Sequence, residues 1–495
     1  MEPRGPPGKA GAPERARLQA SPDGGSPTRT AGHTGAVTQA HSPAPAGLAI
    51  APGPKGHPLF GMLPEFRGDR LGFLVRTARQ YGGVARFTVR GRSVFLVTDP
   101  AGTKRVLQDN ADNYGRKTRS VEALRETLGN GLLTTTGPAW WRNRRLAQPS
   151  FHKQRLASFA GSMASSAAEF VERLAGPGAA GTPFDVVPEF SRLTLRILGQ
   201  CLFERDLTDQ ADAVGGALQV VLHHTIEKLA ALFPLPGVIP TPKNLRFRAA
   251  LRALDRVVLS LIAERRRDGA DRGDLLSMLL AARDEETGEG LSDAQLRDEV
   301  MTLLLAGHET TAMALSWTFY LLSLHPGPRR ALEQELDATL PGGAPGLDLL
   351  PQLRYTRMVL DESLRLYPPA WVITRSADGA DEIGGFAIAA GSRVLLSPYV
   401  TQHDPALWDD PEGFDPERFA PSEANDARPR YAYYPFGGGP HLCIGAGFAI
   451  MEATIILATV ARRLRLDLEP GRAVAIDPLV TLRPKPGIWV TARPR

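Results

Sequence analysis

The stretch YPFGGGPHLCIG at residues 434–445 carries the most information about fold and chemistry. Its three consecutive glycines permit a tight turn, because glycine adopts backbone angles that other residues avoid. Cys443 follows the turn, and an apolar run at 448–464 then continues as a helix. The backbone N–H groups of such a turn can face a cysteine sulfur and restrain its charge, which suits a thiolate that binds iron. The alternative is a buried structural cysteine beside a flexible loop.

Two other interpretations of the glycine-rich stretch fail on spacing. The glycines at 437–439 do not form the dinucleotide-binding pattern, and no Lys-Ser/Thr pair follows them as in a phosphate-binding loop. The chain contains two cysteines, Cys201 and Cys443. This argues against a disulfide framework and a cysteine-rich zinc site, and suits a reducing cytosol. We expect Cys201 to be a core residue.

Composition points to a globular protein. Of the 495 residues 43% are hydrophobic and 22% are charged, and the net charge is +5. No dense Lys/Arg run with interleaved aromatic residues occurs, which argues against nucleic-acid binding. No apolar stretch reaches the roughly 18 residues of a membrane span, and the N-terminus lacks the pattern of a signal peptide. The sequence therefore predicts a soluble, cytoplasmic protein without a transmembrane segment.

The order of elements predicts a mainly α-helical fold with a small β-sheet component (α+β). Residues 1–48 are rich in Pro, Gly and Ala and are expected to form a disordered tail, because they cannot bury enough apolar surface. Runs at 84–89 and 93–98 predict a hairpin. Ser292 and Gln295 form a capping-box pair at the start of a long helix that reaches about residue 322. We expect residues 49–495 to form a single large domain.

The loop around Cys443 resembles the haem-binding loop of the cytochrome P-450 family, F-x-x-G-x-R/H-x-C-x-G. The matching positions are Phe436, Gly439, His441, Cys443 and Gly445, with the small residue Ala449 one helical turn further on. The resemblance covers roughly residues 50–495. It implies the P-450 fold of the soluble bacterial type, with haem b (iron protoporphyrin IX) bound through its iron to Cys443. It also favours the thiolate hypothesis over a structural cysteine.

The long helix contains AGHETT at residues 306–311. Glycine and threonine are unfavourable in mid-helix, so the segment indicates either a functional site or a helix crossing that needs small residues. A zinc-protease motif is excluded, because position 312 is alanine. The segment resembles the family motif A/G-G-x-D/E-T, which implies a helix that bulges over the haem. Ala306 would then keep the oxygen site clear, while Glu309 and Thr310 would deliver protons.

Three further residues resemble a structural network of the family. Glu362 and Arg365 lie one helical turn apart, a spacing that by itself is common and weakly stabilising. They match the family motif E-x-x-R, and Arg418 matches its partner. The resemblance implies a buried Glu–Arg–Arg network behind the cysteine loop.

Arginine suits carboxylates because its fork can bind both oxygens. The family pattern W-x-x-x-R, which contacts the haem propionates, fits Trp140 and Arg144, with Trp141 and Arg145 as a competing frame. The spacing to the helix end favours the first pair. Arg375 matches another propionate ligand of the family, and His441 would reach the same anionic edge.

The implied reaction is reductive activation of O2 and insertion of one oxygen atom into a C–H or C=C bond. Electrons would come from NAD(P)H through a separate ferredoxin or flavodoxin with its reductase, since no such module is recognisable in the chain. Arg142 and Arg145 are expected on a basic face that attracts an acidic ferredoxin. We expect a monomer.

The substrate is expected to be a lipophilic small molecule, with terpenoid, fatty acid and polyketide left open. The apolar residues that family analogy assigns to the pocket walls are Phe233, Leu235, Trp371, Val372, Ile373, Leu479 and Val480. A peroxide-driven peroxygenase and a non-catalytic haem gas sensor are the alternative functions. Neither needs the Glu309–Thr310 pair, whose presence favours the monooxygenase.

Overall fold

The computed structural model describes residues 47–176, 181–231, 236–269, 272, 274–284, 288–340, 342 and 344–495. The tail predicted at 1–48 therefore lies outside the described residues except for its last two positions. Helices dominate the described part of the chain, and the strands form small sheets. No helix in these ranges has the length and apolar content needed to cross a bilayer.

The helices of the first half are α1 (Leu63–Gly68), α2 (Arg70–Tyr81), α3 (Pro100–Lys104), α4 (Arg119–Leu128), α5 (Pro138–Ala147), α6 (Lys153–Ala175), α7 (Val186–Phe203) and α8 (Ala211–Ala230). Those of the second half are α9 (Pro242–Asp268), α10 (Leu275–Ala281), α11 (Asp293–Leu324), α12 (Pro326–Thr339), α13 (Arg354–Leu366), α14 (Pro398–Thr401), α15 (Glu423–Asp426) and α16 (Ala446–Arg463). A π-helical turn at Arg105–Asp109 extends α3.

The strands are β1 (Val84–Val89), β2 (Arg92–Val97), β3 (Tyr114–Gly115), β4 (Pro183–Asp185), β5 (Ile373–Ala377), β6 (Asp381–Ile383), β7 (Phe386–Ile388), β8 (Arg393–Leu396), β9 (Leu464–Leu468), β10 (Ala475–Pro478), β11 (Leu482–Lys485) and β12 (Trp489–Pro494). The largest sheet has the order β1-β2-β8-β5-β3, in which only β2 and β8 are parallel. The predicted hairpin is confirmed as β1 and β2. The other sheets are β4-β12-β9, β10-β11 and β6-β7.

Helix α11 is the central element of the largest apolar cluster, to which α6, α7, α8, α9 and α16 also contribute. Its predicted capping box is present. The Ser292 hydroxyl accepts from the Gln295 amide at 3.3 Å, and the Gln295 side chain accepts from the Ser292 amide at 2.9 Å. Because the cap satisfies N–H groups that have no partner inside the helix, it fixes where α11 begins.

Helix α7 crosses α11 at Gly307. A Cβ added to Gly307 would overlap the Cδ1 atom of Leu198 on α7. A side chain at this position would therefore force Leu198, a buried residue of α7, to move. The packing therefore confirms one of the two explanations for this glycine, namely that the helix crossing needs a small residue.

Candidate active site

The loop before α16 presents Cys443. The Cys443 amide donates to the carbonyl of Phe436 at 3.0 Å, and a 3-10 turn at Gly439–His441 lies between them. Gly439 has a φ of +62°, and a Cβ there would overlap the carbonyl oxygen of Leu107. Only glycine therefore fits where the loop crosses the π-helical turn after α3.

The Cys443 thiol is desolvated and yet retains accessible surface. Burial raises the pKa of the thiol, while the Gly445 amide and the Arg144 guanidinium lower it. Protein atoms thus surround the thiol closely, although the residue keeps accessible surface. Cys201, by contrast, is 2% exposed, and burial raises the pKa of its thiol to about 12. Its predicted place in the core is confirmed.

His441 and helix α5 meet beside this loop. The ring centroids of His441 and Trp140 lie 3.9 Å apart, and Arg144 donates to the carbonyl of Leu442 at 3.1 Å. Trp140 is 2% exposed, whereas Trp141 is 47% exposed. The Nδ1 atom of His441 is buried and has no hydrogen-bond partner among the described residues.

The arginine cluster, as we call Arg116, Arg144, Arg375 and His441, concentrates positive charge. Burial lowers the pKa of His441 to about 3, with repulsion from the three arginines as the second cause. Burial lowers the pKa of Arg375 to about 10, and burial together with Arg375 lowers that of Arg116 to about 9. In the described ranges none of the three arginines forms a salt bridge with a carboxylate. Such a cluster favours a bound anion, above all a carboxylate.

Arg116 is a site residue that the sequence analysis missed. It follows β3 and is 7% exposed. Its guanidinium donates to the carbonyls of Leu132 and Leu133, both at 3.3 Å, and to that of Thr135 at 2.5 Å. A single arginine in a loop matches no spacing pattern, so only the fold reveals that it reaches the cluster.

Ala306 and Thr310 form an accessible strip on α11, one turn apart, in a stretch whose other side chains are largely buried. The Thr310 hydroxyl donates to the carbonyl of Ala306 at 2.7 Å. Within the described ranges no hydrogen bond joins Thr310 to the cysteine loop. Helix α11 runs from Asp293 to Leu324 as a single helix, and the bulge that the family resemblance implies stays a prediction.

The carboxylate of Glu309 points toward the C-terminal strands. It accepts from Arg483 at 2.9 Å and from the Thr481 hydroxyl at 3.1 Å, and its residue is 4% exposed. In this geometry Glu309 is paired with Arg483 and does not bond Thr310. The sequence analysis did not foresee the arginine partner, because it lies 174 positions away.

Glu362, Arg365 and Arg418 meet behind the cysteine loop. Arg365 and Glu362 form an ion pair at 2.7 Å with both side chains fully buried, and Arg418 Nε lies 3.3 Å from Glu362 Oε1. Arg365 also donates to the carbonyls of Gln402, Pro411 and Gly413. The structure thus brings together the three residues predicted for the network and ties them to the segment that precedes the loop.

A comparison with known protein families identifies the family of this chain. The cytochrome P450 family model matches residues 51–490, which cover every site residue described above. The chain belongs to the cytochrome P450 family. The predicted mainly α fold, in one domain with small sheets, is confirmed with it.

Several bacterial P450s are similar over almost their full length. Cyclooctatin synthase of Streptomyces melanosporofaciens is 38% identical over 92% of this chain and 94% of its own. Cyclooctat-9-en-7-ol 5-monooxygenase of the same organism is 35% identical, covering 88% and 94%. Pentalenene oxygenase of Streptomyces avermitilis is 34% identical, covering 81% and 88%. The protein is a P450 monooxygenase, and its family implies a haem-iron cofactor.

The residues of this P450 fit such a cofactor. A haem offers two carboxylates at one edge and an iron that accepts a thiolate. The arginine cluster supplies guanidinium groups without carboxylate partners, and the unpaired His441 Nδ1 adds a polar atom at the same edge. The thiol of Cys443 lies close enough to Arg144 for that guanidinium to lower its pKa. The chain therefore offers cationic groups for the haem carboxylates and a thiolate for the haem iron.

Two expectations for the surroundings of the site need correction. Arg142 does not lie free on a basic face, because it donates to the carbonyls of Glu289 and Gly290, and its Nε lies 3.5 Å from Asp284. The Arg145 side chain is half-exposed but lies 3.6 Å from the same carboxylate. The loop after α10 thus neutralises much of this positive charge.

The predicted pocket walls divide into core and accessible residues. Trp371 and Leu479 are 3% and 5% exposed, and the Trp371 indole N–H donates to the Leu479 carbonyl, so these two belong to the core. The half-buried members are Val372, Ile373 and Val480. Phe233 and Leu235 lie outside the described residues.

Proposed function

We propose that this P450 inserts one oxygen atom from O2 into a terpenoid. Three similar bacterial enzymes support the substrate class, since the monooxygenase and oxygenase names point to the oxidation of cyclic terpenoids. Half-buried Ile373 and Val480 give this chain apolar surface suited to a lipophilic molecule. Fatty acids and polyketides have no comparable support among these relatives.

The convergence of the arginine cluster on Cys443 carries the proposal. We assign Cys443 as the thiolate ligand of haem b, with Arg116, Arg144 and Arg375 binding the propionates. Trp140 packs against His441 and fixes the ring that completes the anion site. Phe436 and Gly445 shape the loop through their backbone groups. When bound, the haem supplies the redox chemistry that activates O2.

On α11 we assign Ala306 and Thr310 to the oxygen site. The methyl group of Ala306 leaves space, and the Thr310 hydroxyl can donate a hydrogen bond toward the oxygen site once it turns from the Ala306 carbonyl. We assign Glu309 to proton supply from the other side of the helix. Because Glu309 is held by Arg483 and Thr481, it has to leave that pair before it can exchange a proton.

The electrons are proposed to come from NAD(P)H through a separate ferredoxin or flavodoxin with its reductase, in the cytoplasm, to a monomeric P450. Arg144 is tied to the cysteine loop, and Arg145 is half-exposed on the same helix. Because Asp284 lies 3.6 Å from Arg145 and Arg144 is assigned to the haem, we assign no residue of α5 to the binding of this partner.

The ligand assignment is tested with the two cysteines. Reduced protein under carbon monoxide should show the strongly red-shifted Soret band of thiolate-ligated haem. Cys443→Ala should lose this band, and Cys201→Ala, the matched control, should keep it. Retention of the band in Cys443→Ala would refute the assignment.

The substrate class is tested by binding. A panel of cyclic terpene hydrocarbons and terpene alcohols is titrated into the oxidised protein, with fatty acids of similar size as the control panel. We expect several terpenoids to shift the Soret band in the way that reports displacement of water from the iron. Shifts with fatty acids alone would contradict the terpenoid proposal.

A further inference from the structure

The turn of the β1–β2 hairpin lies in a dense group of cations. We call Arg67, Arg90, Arg92, Lys117, Arg119 and Arg393 the basic surface. Repulsion from Arg119 and Arg67 lowers the pKa of Arg90, after burial, and repulsion from Arg92 and Arg119 lowers that of Arg393, again after burial. The group of Arg67, Arg90, Arg92, Arg119 and Arg393 therefore lies close enough together for charge repulsion to act within it. Its members come from α1, the β1–β2 hairpin, α4 and β8.

Few negative charges oppose the basic surface. Glu122 and Asp378 act on Arg393, and Glu65 is exposed on α1. Among the described residues no member of the basic surface forms a salt bridge. The side chains of Arg67, Arg92, Lys117 and Arg119 are exposed and can contact an anion in solution. Phosphate groups fit the geometry of a guanidinium group. The Nε and Nη2 atoms of Arg90 are buried without a hydrogen-bond partner among the described residues, so Arg90 contributes its charge rather than a contact.

An exposed apolar side chain stands next to these cations. The turn at residues 57–61 closes through two backbone hydrogen bonds between His57 and Gly61, at 3.0 and 2.7 Å. The Arg90 amide donates to the Phe60 carbonyl at 3.2 Å, which fixes the turn against the hairpin. Leu59 at its tip is 74% exposed, while Phe60 stacks on His57. The turn therefore presents a leucine beside Arg90.

We propose that the basic surface and Leu59 dock this protein on an anionic phospholipid bilayer. The arginines would contact phosphate headgroups, and Leu59 would insert at the boundary of the acyl chains. An acidic protein or free phosphate would satisfy the cations but would leave the leucine in water. A bilayer satisfies both features, which is why the lipid surface is favoured. This surface shares no residue with the arginine cluster, and the inference does not depend on the substrate class.

The test uses the full-length holoenzyme and sedimentation with vesicles. We expect binding to vesicles of phosphatidylcholine with phosphatidylglycerol, little binding to phosphatidylcholine alone, and release by salt. The double variant Arg67→Glu/Arg92→Glu should bind at least about tenfold more weakly. Arg246→Glu/Arg330→Glu has the same net charge, reverses two exposed arginines elsewhere, and should bind like the parent.

The apolar contact is tested separately. Leu59→Ser should weaken vesicle binding several-fold, whereas Leu324→Ser, at a leucine that is 50% exposed on α11, should not. The carbon monoxide spectrum checks that each variant is folded. The proposal is overturned if anionic vesicles are not bound, or if the two double variants bind equally. It is also overturned if Leu59→Ser and Leu324→Ser bind anionic vesicles equally, since the cations would then bind phosphate without the apolar contact that distinguishes a bilayer.

Discussion

At the scale of single residues, Thr310 differs from its neighbour Thr311. Thr310 is accessible and bonds the Ala306 carbonyl, whereas Thr311 is 3% exposed. Positioned proton transfer contributes about 10²–10⁴-fold to a rate. We therefore expect Thr310→Ala to bind haem normally but to form far less product and more hydrogen peroxide per NAD(P)H consumed.

Two variants control this prediction. Thr310→Ser keeps the hydroxyl and should retain most of the coupling, and Thr311→Ala removes a hydroxyl from the buried side and should leave the coupling unchanged. Product per NAD(P)H is measured with a surrogate ferredoxin system. Equal coupling in Thr310→Ala and the parent protein would show that protons arrive by another route.

Gly307 offers a second prediction, about stability. Overpacking a close helix contact typically costs about 1–3 kcal/mol, and a Cβ at Gly307 meets Leu198. Gly307→Ala should therefore lower the free energy of unfolding, although alanine is the better helix former. Leu198→Ala should recover part of the loss in the double variant, which a double-mutant cycle measures. If the two changes in the free energy of unfolding add strictly, the contact between Gly307 and Leu198 does not determine how closely α7 and α11 pack.

At the scale of elements, α16 contains a buried acid. Both carboxyl oxygens of Glu452 are buried without a hydrogen-bond partner among the described residues, and burial raises its pKa to about 8, with the Thr311 hydroxyl close by. The folded state thus holds the proton more tightly than the unfolded state. Stability contributed by this group falls as pH rises from the ordinary value near 4.5 toward 8 and is constant above it.

The corresponding variant is Glu452→Gln, which cannot ionise. Its stability relative to the parent protein should increase between about pH 5 and about pH 8, by about 4 kcal/mol, because each pH unit in this range corresponds to about 1.4 kcal/mol. Urea unfolding of both holoproteins across this range gives the difference. Parallel stability curves would show that Glu452 does not titrate with a raised pKa.

Helix α11 shows which structural features a sequence pattern can predict and which it cannot. Ser292 and Gln295 predicted the start of α11 because a capping box is a local interaction between residues three apart. The contacts of Leu198 with Gly307 and of Arg483 with Glu309 could not be predicted, since they join segments more than 100 positions apart. The place of Arg116 in the arginine cluster could not be predicted either, because it depends on tertiary packing. Local spacing predicted the loop of Cys443, and tertiary packing decided which other side chains surround it.

At the scale of the whole molecule, the family match begins at residue 51. The Ala49 carbonyl accepts from Ala387, and the Pro52 carbonyl accepts from Arg86. Deleting residues 1–48 leaves these bonds intact, so the unfolding temperature and the haem content should change little. Deleting residues 1–62 removes both bonds and should lower both quantities. Equal losses in the two truncations, measured by thermal unfolding and the Soret absorbance, would show that the first 48 residues stabilise the domain.

The arginine cluster also bears on how much of this protein a cell can accumulate. Arg116, Arg144 and Arg375 place positive charge around His441, so a dianionic cofactor binds the native chain and has no such site on the unfolded one. A ligand of this kind adds about 2.7 kcal/mol to the folded state when its free concentration is 100 times its Kd. Cofactor synthesis therefore acts on the folding equilibrium by mass action, and a host starved of iron or porphyrin should lose this polypeptide to proteolysis before it loses the transcript.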